Sequence, residues 1–130
     1  SLLLLDNHPD DQHSVLECGV MSCGNWVDWS RKNLPLMHYP PGDGLPLFIS
    51  IDLDLLSEEY AATDWNQGNW SLDELFEAVS SAVARSGRLI GVDVCGGLTL
   101  EKGAKGSDFE KNSNTRIKIR DFLQNNHFFV

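Results

Sequence analysis

Two short segments of this chain contain the residue types that bind divalent cations, and each follows an apolar run. The first segment is DNHPD, with Asp6, His8 and Asp10 at alternate positions. The second is SIDLD, which ends in Asp52 and Asp54. Oxygen ligands with one or two imidazoles suit manganese or magnesium, whereas thiolates favour zinc. Two such ions about 3.5–4 Å apart can share a water molecule and lower its pKa, which generates hydroxide at neutral pH.

Each segment alone has a simpler interpretation. Asp and Asn favour turns after strands, so DNHPD is also compatible with ordinary loop chemistry. IDLD is compatible with an alternating strand that has one solvated face. Four aspartates gathered in one site would repel one another and become protonated unless cations compensated them. Because both motifs follow strands, we predict a metal pair with the ligands Asp6, His8, Asp10, Asp52 and Asp54.

The elements around these segments predict an α/β fold. Apolar runs predict strands at residues 2–5, 47–53 and 88–94. A capping box, S-x-x-E, opens a predicted helix over residues 71–85. Strand, helix and strand in this order indicate a βαβ unit and a parallel sheet, in which ligands bind at the carboxyl ends of the strands. Both motifs lie at such ends.

Other segments complete this prediction. Short helices are expected at residues 26–32 and 116–124, the second with an apolar face. Residues 102–114 are rich in Gly, Ser and Lys, which favours a mobile segment. The polar, Trp-containing connection at residues 58–70 is a candidate lid or pocket wall.

Composition narrows the class of protein. A chain of 130 residues that is 42% hydrophobic suits one globular domain. The formal charge of −9 disfavours binding to nucleic acid or to an anionic membrane. No apolar run approaches the ~20 residues that span a bilayer. The three cysteines form no CxxC pair, which favours reduced thiols and a cytoplasmic location.

The two motifs resemble those of a known superfamily. DNHPD resembles the D-A-H-x-D motif of the ureohydrolases (arginase, agmatinase and formiminoglutamase), and SIDLD resembles their S-x-D-x-D motif. The resemblance continues through an S-L-D-E-L helix start to a strand that ends in G-V-D-V, and covers roughly residues 2–98. It implies a single arginase-like domain over residues 1–130, with a three-layer α/β/α architecture and a mainly parallel sheet.

The resemblance also implies an activity. Ureohydrolases cleave a non-peptide C–N bond in an amidine, guanidine or linear amide, using a hydroxide that bridges two Mn²⁺ ions. By position, Asp6 and Asp52 would bridge the metals, Asp10 would complete one coordination sphere, and His8 and Asp54 would complete the other. Asp10 would also carry a proton to the leaving nitrogen. The expected partner is a small-molecule amine or amide, and the expected assembly is a homo-oligomer.

Four further residues are weaker candidates. Gln12, Ser22 and Asn25 correspond to substrate-contacting positions of the family. His13 is a candidate proton shuttle or substitute ligand, and a surface histidine is the simpler interpretation.

Three departures from the family pattern affect the expected substrate. The upstream G-G-D-H motif, which contributes a histidine ligand, has no counterpart, so the N-terminal part of the family fold is expected to be absent. The separation between Asp6 and Asp52 (52 − 6 = 46 residues) is short for this family. Gly96 stands where guanidine-hydrolysing members place a substrate-binding glutamate. These departures favour a different C–N substrate, or a degenerate site, over arginine or agmatine.

Two alternatives stay open. HPDD, from His8 to Asp11, also resembles the motif of zinc-dependent N-acetylglucosaminyl deacetylases, although the later H-x-x-H ligand pair is not visible. A catalytically inert domain that binds metal or a partner is the other alternative. The bound ion would distinguish the deacetylase from the binuclear hydrolase, since Zn²⁺ fits the deacetylase and Mn²⁺ or Mg²⁺ fits the binuclear hydrolase.

Overall fold

A computed structural model describes residues 1–11, 21–34, 37–99 and 104–128. Within these ranges the chain forms one parallel sheet of three strands in the order β1-β2-β3, together with three helices. The strands are β1 Leu2–Leu5, β2 Pro46–Asp52 and β3 Arg88–Cys95. The helices are α1 Trp26–Asn33, α2 Leu72–Arg85 and α3 Gly106–Asn125. The α/β class and the parallel sheet predicted from the sequence are confirmed.

The register of β1 and β2 brings the two acidic motifs to the same edge of the sheet. Leu5 pairs with Ile51, so Asp6 and Asp52 follow at neighbouring positions. The last residue of β2, Asp52, pairs in turn with Cys95 at the end of β3. Because the strands are parallel, all three carboxyl ends meet at this edge.

The strand β2 ends one residue earlier than the sequence predicts. Its final residue, Asp52, accepts a hydrogen bond from the backbone N–H of Asp54 at 2.9 Å, which starts a 3₁₀ turn over Leu53–Leu55. Asp54 therefore lies in a turn, where it is only 2% exposed. The turn directs a second carboxylate into the site immediately after the first.

Helix α2 confirms the prediction from its capping box and apolar stripe. Ser71 and Glu74 satisfy each other's backbone N–H groups at the first turn. Leu72, Leu75 and Val79 are buried in the core that also contains the β2 side chains. Burial of each such side chain stabilises the fold by about 1.5–3 kcal/mol.

Helix α3 is longer than the sequence predicts, and the expectation of a mobile segment is wrong for residues 106–114. The amino-terminal half of α3 buries the polar residues Asn112 and Thr115. Asn112 Nδ2 donates to the carbonyl of Ala62 at 2.7 Å, and Asn112 Oδ1 accepts from the Ala62 N–H at 2.8 Å. A helix face that binds backbone in this way has no apolar periodicity to detect. In the described part of the chain, no helix is both long and apolar enough to cross a membrane.

Candidate metal centre

The five predicted ligands lie around one pocket at the carboxyl edge of the sheet. The pocket has a volume of about 230 Å³. Its lining residues are Asp6, His8, Asp10, Cys23, Gly24, Asp52, Asp54 and Trp65. Residues from both motifs thus face the same space, together with the start of α1 and the connection that follows β2.

Three of the five side chains form a close cluster, called here the Asp-His-Asp group. Ligand atoms of Asp6, His8 and Asp54 all lie within 4.8 Å of one another. The Nδ1 atom of His8 is 2.7 Å from Asp54 Oδ2 and 3.7 Å from Asp6 Oδ1. One imidazole nitrogen and two carboxylates at this spacing are a plausible donor set for one divalent cation.

Backbone hydrogen bonds hold the Asp-His-Asp group in place. Asp6 Oδ1 accepts the backbone N–H of His8 at 2.6 Å, which closes a turn directly after β1. Asp54 Oδ1 accepts the backbone N–H of Asn7 at 3.1 Å. Asp6 is therefore oriented by a hydrogen bond within the first motif, and Asp54 by a hydrogen bond from the first motif to the second.

Asp10 and Asp52, called here the outer pair, line the pocket but are held by other side chains. Asp10 has a positive φ of 47°, a conformation that Asp tolerates better than most residues, and its Oδ2 accepts from Trp26 Nε1 at 2.6 Å. Asp52 Oδ2 lies 3.4 Å from the Sγ atom of Cys95. Asp52 Oδ1 also accepts the backbone N–H of Asp54, so Asp52 is held both by its own motif and by β3, whereas the side-chain contact of Asp10 comes from α1.

A glycine completes the contact around Asp52. Gly96 has a φ of +73°, and a Cβ added there would lie 2.0 Å from Asp52 Oδ1. A side chain at this position would therefore combine backbone strain with a direct clash. Arg116 of α3 donates to the carbonyl of Gly96, which fixes this backbone from the other side.

Burial at the carboxyl edge of the sheet raises the pKa values of three of the aspartates. Burial raises the pKa of Asp6 to about 7, and the charges of the neighbouring aspartates add to this effect. Burial also raises the pKa values of Asp10 and Asp52, although the hydrogen bonds from Trp26 and from the Asp54 backbone oppose the rise. A bound cation would offset both burial and repulsion, so the chemistry of the donor set fits a divalent metal.

The other predicted site residues are placed less directly. Gln12 and His13 lie outside the described residues. Asn25 Oδ1 accepts the backbone N–H of Ser22 at 2.7 Å, and neither residue lines the pocket. The residues between them, Cys23 and Gly24, do line it. The predicted segment is thus near the site, but Asn25 uses its side chain to shape the turn.

Sequence reasoning missed two contacts to the outer pair. Trp26 is 16 residues from Asp10, and Cys95 is 43 residues from Asp52, so no local pattern indicates either contact. Burial, with the nearby Asp52 charge, raises the pKa of the Cys95 thiol to about 12, so this cysteine is neutral. It is therefore suited to packing rather than to nucleophilic attack. Trp65, in contrast, falls in the connection that was predicted as a pocket wall.

Comparisons with known proteins found no relative of this chain. No protein-family model, no curated protein and no solved structure matches the chain. The function of the pocket is therefore inferred from its residues and their geometry.

Proposed function

We propose that this protein is a metal-dependent hydrolase that cleaves a non-peptide C–N bond of a small amine- or amide-bearing molecule. The observation that carries the proposal is the Asp-His-Asp group. Its members His8 and Asp54 are 46 residues apart in the chain, yet their side-chain atoms approach to 2.7 Å. They meet at the carboxyl ends of parallel strands, where α/β proteins bind their ligands.

The five acidic and imidazole ligands divide between two metal ions in this proposal. Asp6, His8 and Asp54 would hold one Mn²⁺, and Asp10 and Asp52 would help to hold a second Mn²⁺. The excess of oxygen donors favours Mn²⁺ or Mg²⁺, with Zn²⁺ as the alternative ion. The bound ions would supply Lewis acidity and lower the pKa of water at the site.

Asp10 is the proposed proton carrier. Trp26 Nε1 donates to Asp10 Oδ2, so a proton would be held on Oδ1 and passed to the leaving nitrogen. His13 is a second proposed carrier and Gln12 a proposed substrate contact. Ser22 and Asn25 would act through the turn that presents Cys23 and Gly24 to the substrate.

The resemblance to the ureohydrolases extends the proposal to a divergent arginase-like domain with three layers, acting in the cytoplasm as a homo-oligomer. The placement of two acidic motifs at adjacent strand ends supports it. The environment of Gly96 argues against a guanidine substrate that needs a glutamate there, because an added Cβ would lie 2.0 Å from Asp52 Oδ1. An amidine or a linear amide is the preferred substrate class.

The zinc deacetylase alternative has less support. It uses the HPDD residues and leaves Asp54 without a role, whereas His8 lies 2.7 Å from Asp54. A catalytically inert domain would contain the same residues without turning over a substrate. Only an activity measurement therefore separates it from the hydrolase.

Metal content tests the proposal most directly. We expect two Mn²⁺ per chain by elemental analysis and calorimetric titration. One Zn²⁺ with no Mn²⁺ would favour the deacetylase, and no metal in a folded protein would favour the inert domain. A metallated protein is also expected to release ammonia or an amine from a panel of small amidines and linear amides, whereas Asp52→Ala is expected to lose one of the two Mn²⁺ ions and this activity.

Replacement of a ligand by its isostere sharpens this test. Asp54→Asn is expected to weaken Mn²⁺ binding by more than about 100-fold, since loss of a ligand should exceed the ~10- to 100-fold cost of losing a partner of a ligand. Asp43→Asn is the matched control, because Asp43 is an exposed surface carboxylate near Arg85 and away from the pocket. Equal Mn²⁺ affinity in Asp54→Asn and wild type would refute the assignment.

A further inference from the structure

Trp65 stands at the candidate metal centre as an exposed aromatic side chain. It lines the pocket, yet it is 61% exposed. Its ring lies edge-on to the His8 imidazole, with the centroids 6.3 Å apart and the planes inclined by 66°. A molecule that contacts this indole would thus lie beside a proposed metal ligand.

The backbone around Trp65 is fixed to the elements that build the centre. The carbonyl of Asn66 accepts from Asn7 Nδ2 at 2.7 Å, and the N–H of Gly68 donates to the carbonyl of Asp54 at 2.6 Å. On the other side, the N–H of Asp64 donates to the carbonyl of Gly97 at 3.0 Å. These bonds tie the Trp65 segment to both acidic motifs and to the residues after β3. The backbone that carries the indole is therefore held in position before a ligand arrives, which reduces the entropy lost on binding.

The lining of the pocket and the indole itself indicate the kind of group that Trp65 can bind. Four of the lining residues are aspartates, and none of the lining residues in the described part of the chain is Lys or Arg. With two Mn²⁺ bound, the charge of the ions would balance the four carboxylates, and no basic side chain of the lining would repel a cationic group. The face of an indole is the most favourable aromatic surface for a cation.

We infer that Trp65 is a substrate-binding residue of this pocket and that it binds a cationic, alkylammonium-type group of the substrate against its indole. This inference rests on the proposed function, since it places that group next to the metal ligands. The cationic group is separate from the C–N bond that is cleaved, so Trp65 orients the substrate and takes no part in bond cleavage.

A pair of probes that differ only in charge tests the inference. Choline and its neutral isostere 3,3-dimethylbutan-1-ol are titrated by calorimetry into protein loaded with Mn²⁺. We expect choline to bind more tightly than the alcohol. Trp65→Ala is expected to weaken choline binding about 3- to 30-fold, the range that a cation–π contact supplies, whereas Trp65→Phe should retain part of it. Phe109→Ala is the control, because Phe109 is an exposed aromatic on α3 outside this pocket.

Mn²⁺ affinity, measured separately for each variant, distinguishes the two hypotheses. The inference is supported if wild type and Trp65→Ala bind Mn²⁺ alike and choline binding is weakened only in Trp65→Ala. Three results overturn the inference in a protein that binds Mn²⁺: equal affinity for choline and the alcohol, no choline binding, or a choline affinity that Trp65→Ala does not change. Each of these results leaves the proposed function standing. Absence of Mn²⁺ binding to wild type overturns the proposed function, and the inference with it.

Discussion

Asp54 and Asp52 are two residues apart in the chain, but different parts of the protein hold their carboxylates. Asp54 is 2% exposed, and its oxygens contact the His8 ring and the Asn7 backbone. Asp52 accepts the Asp54 N–H, but it also contacts Cys95 from β3 and closely approaches Gly96. The contacts of the Asp-His-Asp group thus lie within the two motifs, whereas the outer pair makes further contacts with α1 and with the end of β3. We expect the two proposed metal positions to differ in their sensitivity to distant substitutions.

The largest expected difference comes from Gly96→Ala. The added Cβ would lie 2.0 Å from Asp52 Oδ1 at a φ of +73°, so Asp52 must move. We expect a loss of about 1–3 kcal/mol in the free energy of unfolding, measured by chemical denaturation. Titration should show one Mn²⁺ lost and one retained. Gly106→Ala is the control, because an added Cβ there meets nothing within 4 Å. If Gly96→Ala binds two Mn²⁺ as wild type does, the proposed dependence of one metal position on the end of β3 is wrong.

A smaller effect is expected for Trp26→Phe, which removes the hydrogen bond from Nε1 to Asp10 Oδ2 but keeps an aromatic ring. Affinity for the more weakly bound Mn²⁺ should fall about 10-fold, the lower end of the effect of losing a partner of a metal ligand. Affinity for the other Mn²⁺ should stay unchanged in the same calorimetric titration. Trp29→Phe on the same helix controls for general disturbance of α1. Equal weakening of both ions would show that α1 supports the whole centre rather than Asp10 alone.

The last expected effect is the pH dependence of the metal-free protein. The pKa of Asp6 is raised from 3.8 to about 7, so the folded state holds this proton more tightly than the unfolded state. The resulting stabilisation is complete below pH 3.8 and is lost as the pH rises through about 7. The thermal midpoint in EDTA, compared between wild type and Asp6→Asn, should therefore favour wild type less at pH 8 than at pH 5. A difference in thermal midpoint that is the same at both pH values would show that the pKa of Asp6 is not raised.

The sequence predicts the candidate ligands, and the family resemblance groups His8 with Asp54, but neither indicates the contacts that orient Asp10 and Asp52. The apolar runs, the capping box at Ser71 and the two acidic motifs are local patterns, and the strands and α2 follow from them. The division into the Asp-His-Asp group and the outer pair depends on contacts such as Trp26 with Asp10, which no local pattern encodes. The start of α3 was missed for a related reason, since Asn112 is buried by binding backbone rather than by apolar contact.

The pairing of Asn112 with Ala62 has a consequence for how this protein can vary. The amide of Asn112 meets both the N–H and the carbonyl of Ala62, as a neighbouring strand would, and so acts as a one-residue substitute for a sheet partner. The bonds involve only the backbone of residue 62, so they do not depend on which side chain stands there. The side chain at position 62 can therefore vary without loss of these two hydrogen bonds, while Asn112 stays fixed.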